Sequence, residues 1–256
     1  MKHLFSDWDK LRSKIYNSPR VFLLFDYDGT LSPIAPSPSE AKFPSTVKGL
    51  IRRLRRNSKF ALAIISGRSM KDIKKMVGLK GITYIGNHGL EIEGRNTEFL
   101  GSRFHAFIKK IESALYREVK HTKGAKIEHK GVTLSLHYRL VKNRDKALIK
   151  RKFYRIVRPF VYSGKVRISA GKQVLEVRPN IEWDKGSAVT WLLKRKRGQI
   201  LPLYFGDDVT DIDAFRAIKG KGISVFVGNS RKSVNADYFL RDPKEVEKFI
   251  KRLVEL

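Results

Sequence analysis

Two carboxylates one residue apart, Asp26 and Asp28, follow the apolar run Val21-Phe-Leu-Leu-Phe25 and precede Gly29 and Thr30. A second acidic group, Asp207, Asp208 and Asp211, follows another apolar run that ends at Phe205. Carboxylates this close repel unless a cation or a shared proton lies between them. A hard, oxygen-ligated ion such as Mg²⁺ meets that demand. Turn chemistry is the alternative for either group alone, because Asp, Gly and Thr are ordinary turn residues. The chain has only 25 acids against 54 Lys and Arg, so five of them gathered behind two apolar runs point to a cation site.

Two further pieces occupy similar positions: Ser66-Gly67-Arg68 after Phe60–Ile65, and Lys185-Gly186 at the start of a helical segment. A hydroxyl, backbone amides and an ammonium together hold a phosphoryl group. Taken singly, Ser66 also suits a helix N-cap and Lys185 an exposed lysine; their joint placement favours phosphate.

These residues need a scaffold that brings distant segments together. Short apolar runs at Val21–Phe25, Phe60–Ile65 and Ile82–Ile85 read as buried parallel strands. Between them, Ser45–Asn57 and Ser69–Val77 place apolar residues at helical spacing. The same grammar returns with Ile200–Phe205, a helix from about Thr210 to Ile218, Ile223–Val227 and a closing helix after Pro243. Strand-helix alternation implies an α/β fold with a doubly wound, Rossmann-like parallel sheet, whose ligands bind at the carboxyl edge of the strands. The acidic groups fall at that edge.

The middle reads differently. A helix near Ser102–Val119, alternation through Val132–Tyr138, a helix near Arg144–Val157 and strands around Val166–Ser169 and Val174–Val177 suggest an inserted α+β cap. The expected division is a catalytic core of residues 1–98 and 180–256 with a cap of residues 99–179. Leu31–Pro38, with three Pro and two Ser, is expected to wrap the acidic loop toward the cap hinge.

No Cys is present, which excludes disulfides, thiolate metal sites and cysteine nucleophiles. No apolar run is long enough for a membrane span, and acids stand where a secretory signal needs apolar residues, so a soluble, cytoplasmic protein is expected. The formal net charge of +29 attracts polyanions. Its spread from Lys10 to Arg252 fits a solubilising surface that also draws in anionic substrate better than a nucleic-acid footprint, for which no basic helix with base-reading residues is evident.

In order along the chain, DYDGTLSPI, ISGR, DKG and GDDVTD resemble the four motifs of the haloacid dehalogenase-like phosphatases. That resemblance implies Asp26 as nucleophile, Asp28 as general acid and base, and Lys185 and Ser66 on the phosphoryl oxygens. It also implies Mg²⁺ held by Asp26, the Asp28 carbonyl and Asp207, with Asp208 or Asp211 acting directly or through water. Four further segments, Gly86–Glu91, His137–Arg139, Glu176–Pro179 and Asp211–Phe215, look like those of trehalose-6-phosphate phosphatases. This narrower resemblance implies that Lys172 and Glu176 hydrogen-bond sugar hydroxyls, with Gly29, Arg68, Asn87, His88 and Arg139 as further substrate-binding candidates. It also implies a separate synthase that supplies the sugar phosphate. Related esters, sucrose 6-phosphate or mannosyl-3-phosphoglycerate, are the alternative substrates. The chain departs from the family's Asp-Glu-Asp by having Asp211-Ile212-Asp213, a change that bears on outer metal geometry only.

Overall fold

The computed structural model describes residues 1–35, 40–93, 97–171, 173–229 and 234–256, without the side chains of 97–103. Residues 36–38 of the expected wrapping segment, and Lys172, therefore lie outside the described residues. The chain divides into two compact units, Met1–Gly94 with Trp183–Leu256, and Arg95–Glu182.

The first unit is built on an eight-stranded sheet. Its strands are β1 (Lys2–His3), β2 (Val21–Asp26), β3 (Phe60–Ile65), β4 (Thr83–Gly86), β5 (Glu91–Ile92), β10 (Leu201–Gly206), β11 (Ile223–Val227) and β12 (Tyr238–Leu240). Strands β6 to β9 belong to the second unit. The spatial order is β1-β12-β11-β10-β2-β3-β4-β5, parallel throughout except for the β4–β5 pair. Every residue of β2 and β10 is buried, as expected of central strands covered on both faces.

Helices α1 (Trp8–Asn17), α2 (Ser45–Leu54), α3 (Met70–Val77), α6 (Lys185–Lys194), α7 (Ile212–Ile218) and α8 (Pro243–Val254) bury apolar stripes in two clusters. Leu23, Phe25, Ile51, Leu203 and Phe249 lie in one; Phe22, Leu24, Val189, Tyr204 and Phe215 lie in the other. Alternate residues of a strand therefore serve opposite layers. Local chemistry sets the helix ends. Ser69 caps α3 by accepting from the Asp72 amide, Asp184 caps α6 by accepting from Ser187, and Asp242 caps α8 ahead of Pro243. The helix expected from Thr210 is a 3-10 turn, Val209–Asp211, that runs into α7 at Ile212.

The second unit has a four-stranded antiparallel sheet, ordered β6 (Lys126–His129), β7 (Leu134–His137), β9 (Val174–Pro179) and β8 (Val166–Gly171). It carries α4 (Thr97–Val119) and α5 (Asn143–Tyr162). Leu134, Leu136, Leu175 and Val177 join Ile108, Ile111, Ile149 and Phe153 in a third core cluster. One face of this sheet therefore packs on the helices, and the other is free to carry polar side chains. No helix among the described residues is long and apolar enough to cross a membrane.

Candidate active site

The parallel strands end together, and their carboxyl ends carry the chemistry. Asp26 closes β2, Ser66 follows β3, Asn87 follows β4 and Asp207 follows β10. Gly29 adopts φ +83, and any side chain there would overlap the Asp207 carboxylate. Its lack of a Cβ is what lets the β2 loop and the β10 loop close on each other.

Oxygens of Asp26, Asp207 and Asp211 lie within 4.8 Å of one another. Lys185, at the first position of α6 and only 3% exposed, bridges two of them: Nζ is 2.8 Å from Asp26 Oδ1 and 2.7 Å from Asp211 Oδ1. Burial pushes Asp26 well above the usual carboxylate range, against the pull of Lys185 and with the push of Asp211 and Asp207. Burial, then Asp211, raises Asp207 to about 7. Burial alone would lower Lys185, but Asp26 and Asp211 outweigh it and raise the ammonium's pKa. Two buried carboxylates and a half-buried third face one cation, so the cluster as it stands relieves its charge by holding protons or by binding a positive ion. The donor set is entirely hard oxygen, and it fits a magnesium-like cation.

Asp211 differs from its two neighbours because its oxygens are already engaged. Oδ1 accepts from Lys185 and from the buried Tyr204 hydroxyl at 2.8 Å, and Oδ2 accepts from the Asp207 and Asp208 amides at 3.0 Å each. It braces the acidic loop. Asp208 is exposed, stands outside the triad and caps the 3-10 turn through the Val209 amide. Tyr204 had no place in the sequence reading. Its signal was a phenol inside the apolar run Leu-Pro-Leu-Tyr-Phe, a hydroxyl that burial obliges to find a partner.

Asp28 is 39% exposed at its side chain, and Arg68 holds it at two points, Nε to Oδ2 at 2.7 Å and Nη2 to Oδ1 at 2.6 Å. Tyr27 lies beneath the guanidinium at 5.5 Å. Ser66 is buried, and its hydroxyl accepts from the Arg68 amide at 3.1 Å; the helix N-cap is Ser69 instead. Asn87 and His88 both adopt positive φ, 48 and 56. Asn87 is fully buried, donates to Glu91 at 2.8 Å and receives its place from the Arg68 carbonyl, which accepts its amide at 2.7 Å. The His88 amide donates to the Ser66 carbonyl at 2.9 Å. Both residues thus brace the Ser66–Arg68 loop.

In the second unit, strand register aligns Glu128, Ser135, Glu176 and Ser169 in one row across all four strands. Glu176 is flanked by Lys130 Nζ, Ser135 Oγ and Ser169 Oγ, each at 3.5 Å. Glu128 accepts from His137 at 2.7 Å and lies 3.7 Å from Lys130. Arg139 is exposed in the turn after β7. Of this polar face, Glu176 is the residue that the sequence motifs single out; Glu128 and Lys130 emerge from the strand pairing. The signal was the polar alternation Lys126-x-Glu128-x-Lys130, with the period of a strand.

A trehalose-phosphatase family model matches residues 24–244. The chain is 36% identical over 248 residues to "Probable trehalose-phosphate phosphatase 4" of Oryza sativa subsp. japonica, an alignment covering 92% of this chain and 66% of that relative. It thus spans about two thirds of the relative's length. Among solved structures, the C-terminal domain of C. albicans trehalose-6-phosphate phosphatase superposes with a TM-score of 0.76 at 26% identity, covering 97% of this chain and 96% of that one. Aspergillus fumigatus trehalose-6-phosphate phosphatase gives 0.68 at 29% identity, covering 100% and 99%.

Proposed function

The chain belongs to the trehalose-phosphatase family, and we propose that it hydrolyses trehalose 6-phosphate to trehalose and phosphate through an aspartyl-phosphate. The observation that carries this reading is the buried Asp26 held by Lys185 beside Asp207, with Asp28 two residues on and clamped by Arg68.

An Asp26 carboxylate oxygen attacks phosphorus, and the bond from phosphorus to the sugar oxygen breaks. Asp28 gives its proton to that departing oxygen. It then takes a proton from the water that attacks the aspartyl-phosphate, which releases phosphate and restores Asp26. Lys185 and the Ser66 hydroxyl hold phosphoryl oxygens, where fixed positive charge and donors offset the charge of the transition state. Asp26 and Asp207, with the Asp28 carbonyl, would hold Mg²⁺, which supplies charge neutralisation so that a carboxylate can approach an anionic phosphate. Asp211 orients Lys185 and the acidic loop.

Glu128, Lys130, Glu176 and Arg139 of the second unit take the sugar hydroxyls. A disaccharide presents many such groups, and each left without a partner on burial costs roughly 1–3 kcal/mol. A row of paired but partly exposed carboxylates is suited to exchange those partners for hydroxyls. The substrate is supplied by a synthase that makes the phosphorylated disaccharide, and the cysteine-free composition suits a reducing cytoplasm.

The test is phosphate release from trehalose 6-phosphate, sucrose 6-phosphate, glucose 6-phosphate and mannosyl-3-phosphoglycerate, each with Mg²⁺ and with EDTA. Magnesium-dependent preference for trehalose 6-phosphate supports the whole reading. Preference for another ester keeps the mechanism and overturns the substrate.

A further inference from the structure

The basic excess is not evenly used. Ion pairs of the first unit engage His3, Arg68, Lys74, Lys185, Arg216 and Arg241. Arg52, Arg55, Arg56 and Lys80 enter no ion pair among the described residues, yet they line one cavity of about 310 Å³ together with Gly78 and Leu79.

The cavity is built from two elements. Arg52 lies in the last turn of α2, and Arg55 and Arg56 continue its winding through bonds from their amides to the Ile51 and Arg53 carbonyls. The opposite wall is the turn after α3. Its floor is fixed: the Tyr84 hydroxyl donates to the Leu79 carbonyl at 2.8 Å and accepts from the Leu79 amide at 3.1 Å. Gly78 and Gly81, at φ +58 and +75, present no side chain, so Lys48 Nζ comes within 3.0 Å of where a Gly78 Cβ would stand and the Arg55 guanidinium lies where a Gly81 Cβ would be. Positions 48, 52, 55 and 56 share one face of the helix.

A helix C-terminus attracts cations, but its charge is only about −0.5. Four lining cations exceed that several-fold and leave a strongly positive hollow. The position is also remote from the acidic cluster. The cavity lies where α2 ends before β3 and α3 ends before β4, at the amino edge of the sheet, whereas Asp26 and Ser66 lie at the carboxyl edge. A six-residue strand separates the two edges by about 20 Å.

We propose that this hollow is a second anion site, one that takes a compact chain of phosphates: inorganic tripolyphosphate or the triphosphate tail of a nucleotide. Guanidinium forks match phosphate oxygens at two points, and three of them with a lysine opposite suit several phosphates close together. The volume is that of a small-molecule site. No aromatic side chain lines it, so it offers no platform for stacking bases of a single strand.

The experiment is calorimetric titration of the full chain with inorganic tripolyphosphate, ATP and adenosine, in EDTA and about 0.15 M salt, where exposed charges beyond about 8 Å are screened. The same titrations are made on the triple variant Arg52→Gln/Arg56→Gln/Lys80→Gln and on an equal-charge control, Arg144→Gln/Arg151→Gln/Arg158→Gln, whose sites are exposed on α5. The pocket triple is expected to weaken tripolyphosphate at least tenfold while keeping phosphatase turnover, and the control to leave binding unchanged. ATP binding like tripolyphosphate assigns the site to phosphate alone; tighter ATP binding assigns it to nucleotide. Equal weakening by both triples, or none by the pocket triple, overturns the site. Should the triple fail to fold, single Arg56→Gln carries the same test with a several-fold loss. Binding at Lys185 and Ser66 is separable, because the pocket triple leaves it untouched.

Discussion

Arg68 grips both oxygens of the Asp28 carboxylate, at 2.6 and 2.7 Å, and rests on the Tyr27 ring. A two-point clamp fixes the direction of a group proposed to move a proton twice per turnover. Arg68→Ala should therefore lower kcat by about 10²-fold, the lower end of what general acid-base catalysis contributes. Arg68→Lys should recover little, since an ammonium cannot span both oxygens. Steady-state kinetics on trehalose 6-phosphate measure this; an unchanged kcat in Arg68→Ala would remove Arg68 from the positioning of Asp28.

Asp26→Asn replaces the proposed nucleophile with an amide of the same shape. Turnover should vanish while the fold persists. The variant should also melt above the parent at neutral pH in EDTA, because burial disfavours the charged form of Asp26 and the amide carries no charge. Residual turnover near the parent level would require another nucleophile.

The acidic cluster makes stability depend on pH in a stated direction. Asp207 is raised from 3.8 to about 7 in the fold, so the unfolded chain releases its proton more readily. A raised carboxyl contributes stability fully present below its unfolded pKa and lost as pH rises through the folded one. In EDTA the protein should thus lose stability between about pH 4 and 7, by an amount on the order of 1–4 kcal/mol. Mg²⁺ should restore it above pH 7, and Asp207→Asn should flatten both responses. Scanning calorimetry across that range decides; a flat profile in EDTA would contradict the proposed coupling.

Much of this site was legible because its signals are local. Asp26, Asp28 and Asp207 stand at the ends of apolar runs that read as buried strands, with Asp211 one turn further on, and the parallel sheet brings those ends together. What was hidden is set by tertiary partners. Asp211 reads as one more acid until Lys185, Tyr204 and two amides are seen to occupy its oxygens. Asn87 reads as a substrate-binding candidate, and its positive φ and full burial give it the further part of a brace. The short strands β1 and β12 pair with each other over two residues and carry too little pattern to announce themselves. Strand β6 is half-buried and mostly polar, so it gave no apolar run, and Glu128 went with it.

Glu128 sets the last expectation. Its hydrogen bond from His137, opposed by burial, holds its carboxyl below the usual range. A depressed carboxyl contributes stability present above its unfolded pKa, near 4.5, and lost as pH falls through the folded value. Glu128→Gln should therefore destabilise the second unit at pH 7 by about 1 kcal/mol or less and make no difference in strong acid. If the polar row also receives the sugar, the same variant should raise KM for trehalose 6-phosphate by about tenfold, the loss of one charged hydrogen bond. It should leave turnover of p-nitrophenyl phosphate, which carries no sugar, unaltered. Hydrogen exchange of β6 and β7 amides reads the stability, and the two substrates read the specificity. Equal effects on both substrates would mean that Glu128 serves the fold alone.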